Sequence, residues 1–192
     1  MHAQTTIPSM LLGRLVRGRT AADMLLVIGA SFLIAIAAQI SLPLPFTPVP
    51  LTLQPLAVIL IGAALGSTRG AAAAALYLAE GFGGLPVFAQ GIGGPAVLMG
   101  ATAGYLFAFP FAAFTAGWIS ERGWGNSAVR SIAGMLAALA VIYAGGWSWL
   151  SMLVGPQAAF VAGVVPFVLA DAVKVAIAAA LLPKAGKLIA RF

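Results

Sequence analysis

No cysteine occurs in the 192 residues, and the single histidine, His2, lies in the N-terminal tail. Disulfides are excluded, and so are the usual His and Cys metal sites. Charge is equally scarce. Asp, Glu, Lys and Arg make up 7% of the chain against 62% hydrophobic residues, with a mean hydropathy of +1.07. Soluble domains carry about 25% charged residues, so the expectation is an integral membrane protein. Nucleotide motifs are missing as well. Gly91 to Gly94 is not followed by Gly-Lys-Ser/Thr, and Gly186-Lys187 leads into Leu188 with no glycine five positions earlier, so there is no P-loop for ATP. No Ser-His-Asp set, metalloprotease helix motif or inward carboxylate pair appears. An enzyme is therefore not expected, nor is a cofactor. The formal charge of +6 comes from basic residues spread along the chain, which speaks against a nucleic-acid partner.

What is present is a succession of apolar runs in one membrane domain, 1–192, with room for about six helices of roughly 20 residues in a lipid bilayer. The fold class expected is all-α, with six transmembrane helices. A basic tail, 1–20, holds Arg14, Arg17 and Arg19 and precedes a first helix at about 21–42. A signal peptide would share that beginning, with Ala35-Ile36-Ala37 as its cleavage site, but the apolar stretch is long for one and the later spans need an odd partner before them. Pro43, Pro45, Pro48, Pro50 and Pro55 then impose an extended or turning backbone. Short helices are expected at about 52–65 and 71–81, separated by a turn over Gly66 to Gly70. Longer ones follow at about 96–119, bent by Pro110, and 129–154, broken by Gly155-Pro156. The last is at about 157–182, ended by Pro183.

Lys and Arg support this count. Nine of the ten fall in the N-tail, the 2-3 turn, the 4-5 turn and the C-tail; the three opposite loops hold none, and the tenth, Lys174, lies inside helix six. By the positive-inside rule both termini are cytoplasmic, and the proline-rich 1-2 loop and glycine-rich 3-4 loop face outward.

The stretch from Leu76 to Phe109 stands out. Gly81, Gly83, Gly84, Gly91, Gly93 and Gly94 fall within fourteen residues. Such a loop lets backbone approach a ligand, and irregular backbone at membrane depth is tolerated where protein or a water-filled cavity surrounds it. Glu80 and Phe88 put an acceptor and an aromatic wall beside Gly84. Tyr105 and Phe109, four apart on the next helix, form a stripe that is either core packing or a second wall. Asp171 and Lys174 are three apart on one face of helix six. They either neutralise each other as a structural lock or serve a ligand, Lys174 meeting a carboxylate while Asp171 accepts an N–H or holds Lys174. Glu80 either snorkels to the interface or is a ligand acceptor. On helix one, Ser31 and Ala35 share a small-residue face suited to close helix contact, inside the monomer or with another membrane subunit.

Four segments in order, PFTPVPLTLQPL, LYLAEGFGGLPVFAQG, GATAGYLFAF and PFVLADAVKVAIAAALLP, together resemble the BioY family, the biotin-specific S components of energy-coupling factor (ECF) transporters. The resemblance implies a six-helix, non-enzymatic subunit in the inner (cytoplasmic) membrane of a bacterial cell. It would capture biotin from outside and topple in the bilayer to release it inside, working with a T component and two ATPase subunits. It further implies Glu80, Tyr105, Asp171 and Lys174 as biotin-binding residues, with Gly84 and Phe88 beside them, and Ser31 and Ala35 as contacts to the T component. Two features depart from the family pattern. Gly100-Ala101-Thr102-Ala103-Gly104-Tyr105 stands where Gly-Pro-Thr-Gly-Gly-Tyr is common, and residues 81–98 contain no basic side chain. A self-contained proton-coupled carrier using Asp171 or Glu80, and a non-transporting scaffold subunit, are the alternatives from other classes.

Overall fold

A computed structural model describes residues 19–123 and 128–189. The first helix, α1 (Arg19–Gln39), leads into a small antiparallel hairpin of β1 (Ser41–Leu42) and β2 (Leu51–Thr52), with Ser41 opposite Thr52 and Leu42 opposite Leu51. Four of the five prolines lie between these strands, where extended and turning backbone suits their fixed φ. Helix α2 (Gln54–Leu65) follows at once with Pro55 in its first turn, where a missing N–H costs nothing.

A single residue, Gly66, makes the next turn with φ 87°, a left-handed conformation that glycine adopts without a Cβ penalty. The expected five-residue turn is thus reduced to one, and α3 (Ser67–Phe82) begins four residues early, with Arg69 on its first turn. Glu121 makes this possible. Its Oε1 accepts from the Ser67 backbone N–H at 2.7 Å and from the Ser67 hydroxyl at 3.0 Å, placing an acidic acceptor at a helix N-terminus. Beside it Arg69 pairs with Asp23 of α1 at 2.8 Å, so Asp23 is a further ionisable residue at a span end.

After α3 the chain makes two short 3-10 turns, Ala89–Gly91 and Pro95–Met99, before α4 (Ala103–Glu121). Gly94 with φ 96° and Gly100 in extended backbone interrupt what was expected to be helix from residue 96, so α4 starts later than its composition suggests. It continues through Pro110. Helix α5 (Ala128–Val154) ends at Gly155, and α6 (Pro156–Gly163) and α7 (Val165–Ile189) together form the sixth helical element, broken at Val164 ahead of Pro166. Pro183 lies within α7 and does not end it.

Helices packed this closely need small side chains. A Cβ on Gly62 of α2 would overlap the Ala113 backbone of α4, and one on Gly104 of α4 would overlap Gly145 of α5. This is close backbone approach, the packing mode available between membrane helices, where lipid is as apolar as leucine. Among the described residues, four helical stretches are long and apolar enough to cross a membrane: Ala21–Gln39, Ala103–Glu121, Val129–Val154 and Pro156–Ala176. Helix α2, with 12 residues, rises only about 18 Å and falls short of a bilayer core of roughly 30 Å. The hairpin before α2 and the loop after α3 come together at one end of the bundle.

Candidate functional site

A cavity of about 200 Å³ lies beneath that end of the bundle. Its roof is the stretch from Pro48 to Pro55 and the loop segment from Phe88 to Ile92, and its floor is built by Tyr105, Leu106 and Phe109 of α4, Ile142 and Tyr143 of α5, and Phe167 and Asp171 of α7. Exposed Pro48, Gln90 and Ile92 mark the mouth. Most of the wall is apolar and aromatic, with a few convergent polar groups, which is the usual make-up of a small-molecule site.

One set of polar groups gathers around Asp171. Asp171 is 4% exposed and accepts from Lys174 Nζ at 2.8 Å through Oδ1 and from the Tyr143 hydroxyl at 2.7 Å through Oδ2. Lys174 also donates to the Thr52 carbonyl at 2.9 Å, tying α7 to the hairpin. An ammonium has three N–H donors, so one remains after these two bonds. The pair is neutral as a unit, which is how buried charge is tolerated in a low-dielectric interior. Lys174 itself stands just behind the lining, through Asp171 and Thr52.

The roof is held by a second network. Gln39 at the end of α1 donates from Nε2 to the carbonyls of Val87 at 3.4 Å and Phe88 at 3.2 Å. Gln54 donates to the Tyr77 hydroxyl at 2.6 Å, and Tyr77 donates to the Val87 carbonyl at 3.2 Å. Phe88, 1% exposed, stands edge-on to Tyr77 with ring centroids 5.5 Å apart. At its tip Gln90 has φ 64° and ψ 22°, a left-handed conformation that is strained for a residue with a side chain. On the floor, the Tyr105 hydroxyl donates to the Gly163 carbonyl at 2.8 Å, which fixes its ring as a wall and joins α4 to the break before α7.

The sequence-derived candidates divide into two groups. Phe88, Tyr105 and Asp171 line the cavity, and Lys174 is bonded to it. Glu80 and Gly84 do not line it. Glu80 Oε1 lies 3.0 Å from the Ser31 hydroxyl, which donates to it, while Oε2 is buried with no partner among the described residues. Gly84, with φ 94°, serves the turn after α3. Ser31 and Ala35 are 0% and 8% exposed, so the small-residue face of α1 is turned into the chain's own core. Of the two readings of this face, contact inside the monomer is the one that Ser31 and Ala35 make in this conformation.

Gln39, Thr52, Gln54 and Tyr143 were not among the sequence candidates. Gln54 stood inside the quoted PFTPVPLTLQPL segment, in the first turn of the helix expected at about 52–65, and was not singled out there. Tyr143 is a phenol in the apolar middle of α5, a signal that can be read only once a buried acid is known to face it.

The BioY family model matches residues 8–191. The chain is 44% identical over 146 residues to a protein of Pyrococcus horikoshii described as a probable biotin transporter BioY, covering 76% of this chain and 85% of that one. It is 41% identical over 157 residues to the biotin transporter BioY of Thermotoga maritima, covering 81% and 90%. Among solved structures it resembles the S-component for biotin from an ECF-type ABC transporter, with a TM-score of 0.79 over 90% of this chain and 94% of that one at 23% identity. At that identity the likeness is one of fold.

Proposed function

The chain belongs to the BioY family, and on that premise we propose that it is the biotin-binding subunit of a vitamin uptake transporter, not an enzyme. Biotin has a ureido head with two N–H donors and one carbonyl, an apolar thiophane ring, and a chain ending in a carboxylate. The observation that carries the reading is the neutral Tyr143–Asp171–Lys174 cluster set against aromatic walls. A neutral pair suits the neutral ureido head: Asp171 accepts a ureido N–H, and the remaining N–H of Lys174 serves the ureido carbonyl. Placing the carboxylate there would leave a net buried negative charge, which is costly. The carboxylate therefore lies toward the mouth at Gln90, while Phe88 and Tyr105 cover the ring. Glu80 acts at a distance, by bonding α3 to α1.

The protein lies in the inner (cytoplasmic) membrane with both termini cytoplasmic and the cavity opening outward, a reading supported by the nine-to-none distribution of Lys and Arg. Release inward depends on a T component and two ATPase subunits, since the chain carries no P-loop of its own. With Ser31 and Ala35 buried, the face of α1 open to the T component carries Leu25, Gly29, Phe32 and Ile36. The experiment is uptake of labelled biotin by cells expressing the chain with and without those partners. Uptake that requires the ATPases and survives an uncoupler is expected; uptake by the chain alone that the uncoupler abolishes would point to a proton-coupled carrier instead.

A further inference from the structure

Gln54 opens α2, lines the cavity and is 5% exposed. Its bond to Tyr77 has a direction. A phenol carries one hydrogen, and the Tyr77 hydrogen is directed at the Val87 carbonyl at 3.2 Å. What Tyr77 can then receive from Gln54 is an N–H, at 2.6 Å. With one of its two amide hydrogens occupied in this way and the nitrogen anchored on Tyr77, Gln54 keeps its carbonyl oxygen, Oε1, as the acceptor it can offer the cavity, beside a second N–H. Tyr77 cannot easily turn away to release it, because the ring is fully buried and packed edge-on against Phe88. The same relay ends on the loop that Gln39 also holds. Through its backbone, Gln54 is joined to the cluster on the other wall: its N–H donates to the Thr52 hydroxyl at 3.3 Å, and the Thr52 carbonyl accepts from Lys174.

We infer that Gln54 is a specificity-determining residue whose Oε1, oriented by the Tyr77–Val87 relay, accepts an N–H from the ligand. The inference rests on the biotin reading above, in which that N–H belongs to the ureido head. Asp171 accepts one ureido N–H and Gln54 the other, while Lys174 donates to the ureido carbonyl. A ligand with a carbonyl or an alkylated nitrogen facing Gln54 leaves a buried acceptor unpaired, and sites built to hydrogen-bond a group discriminate strongly against analogues lacking it. The plainer role, in which Gln54 only props Tyr77 and the roof, makes a different forecast: its loss weakens every ligand alike.

The test is equilibrium binding by the purified full chain of biotin and of the two biotin analogues methylated on one or the other ureido nitrogen. In the wild type both analogues bind more weakly than biotin. In Gln54→Met biotin affinity falls by about 10- to 100-fold, and the preference for biotin over one analogue shrinks by at least about fivefold while the preference over the other persists. Thermal unfolding reports whether this variant is folded. If it is not, Tyr77→Phe carries the test, since it leaves Gln54 in place and frees its amide to turn; the preference over the same single analogue shrinks. An equal loss for all three ligands, or unchanged preferences, overturns the role of Gln54 and leaves biotin capture standing. A folded wild type that binds no biotin overturns the biotin reading and this inference together.

Discussion

Tyr143 of α5 donates a hydrogen bond of 2.7 Å to Asp171 of α7. It occupies the carboxylate oxygen that Lys174 leaves open, so the acid is held from two helices at once. Asp171 is thereby oriented before any ligand arrives, and preorganised sites bind with less ordering cost. Tyr143→Phe removes one bond to a charged group. It is expected to destabilise the unliganded protein by about 1.5–3 kcal/mol and to weaken biotin binding, read from thermal unfolding with and without biotin.

The Asp171–Lys174 pair makes a sharper forecast. Removing one partner of a buried pair leaves an uncompensated charge and costs about 3–5 kcal/mol, whereas replacing both by apolar residues is often close to neutral. Lys174→Met is therefore expected to unfold at a lower temperature than the double variant Asp171→Leu with Lys174→Met. Biotin binding is lost in both, so stability and function separate. A double variant less stable than either single one contradicts this account of the pair.

Glu80 lies outside the cavity lining and is bonded to Ser31. Glu80→Gln is expected to leave biotin affinity unchanged within about twofold, because its effect falls on the α1–α3 contact and not on the ligand. A tenfold or greater loss in equilibrium binding contradicts that placement. Ser31→Ala, which removes the hydroxyl donor to Glu80, is expected to lower the unfolding temperature.

Legibility followed sequence distance. The long apolar runs and the sided distribution of basic residues announced a multi-pass helical protein, and the Asp171–Lys174 spacing announced a polar pair on one face of α7. Contacts between distant segments were not announced. Ser31 and Glu80 are 49 positions apart, and each alone fitted an equally good local account, one as a docking face and the other as an interfacial carboxylate. In the fold the two meet, with Ser31 fully buried and Glu80 half-buried. The start of α3 was missed for a similar reason: its acidic cap comes from Glu121, 54 residues away. The family resemblance pointed to Asp171, Lys174 and Tyr105 but not to Tyr143, whose meaning depends on which helix faces α7.

Close packing of α2 on α4 is also open to test. Gly62 has no room for a Cβ against the Ala113 backbone, so Gly62→Ala forces the helices apart at a cost of about 1–3 kcal/mol. Gly29, where a Cβ would meet nothing within 4 Å, is the control, and Gly29→Ala is expected to unfold within about a degree or two of the wild type.

The most direct measurement is equilibrium binding of labelled biotin to the purified chain in detergent, beside Asp171→Asn. The account predicts saturable binding by the wild type and a loss of at least about tenfold in the variant. A well-folded wild type that binds no biotin, or an Asp171→Asn variant that binds as the wild type does, would contradict it.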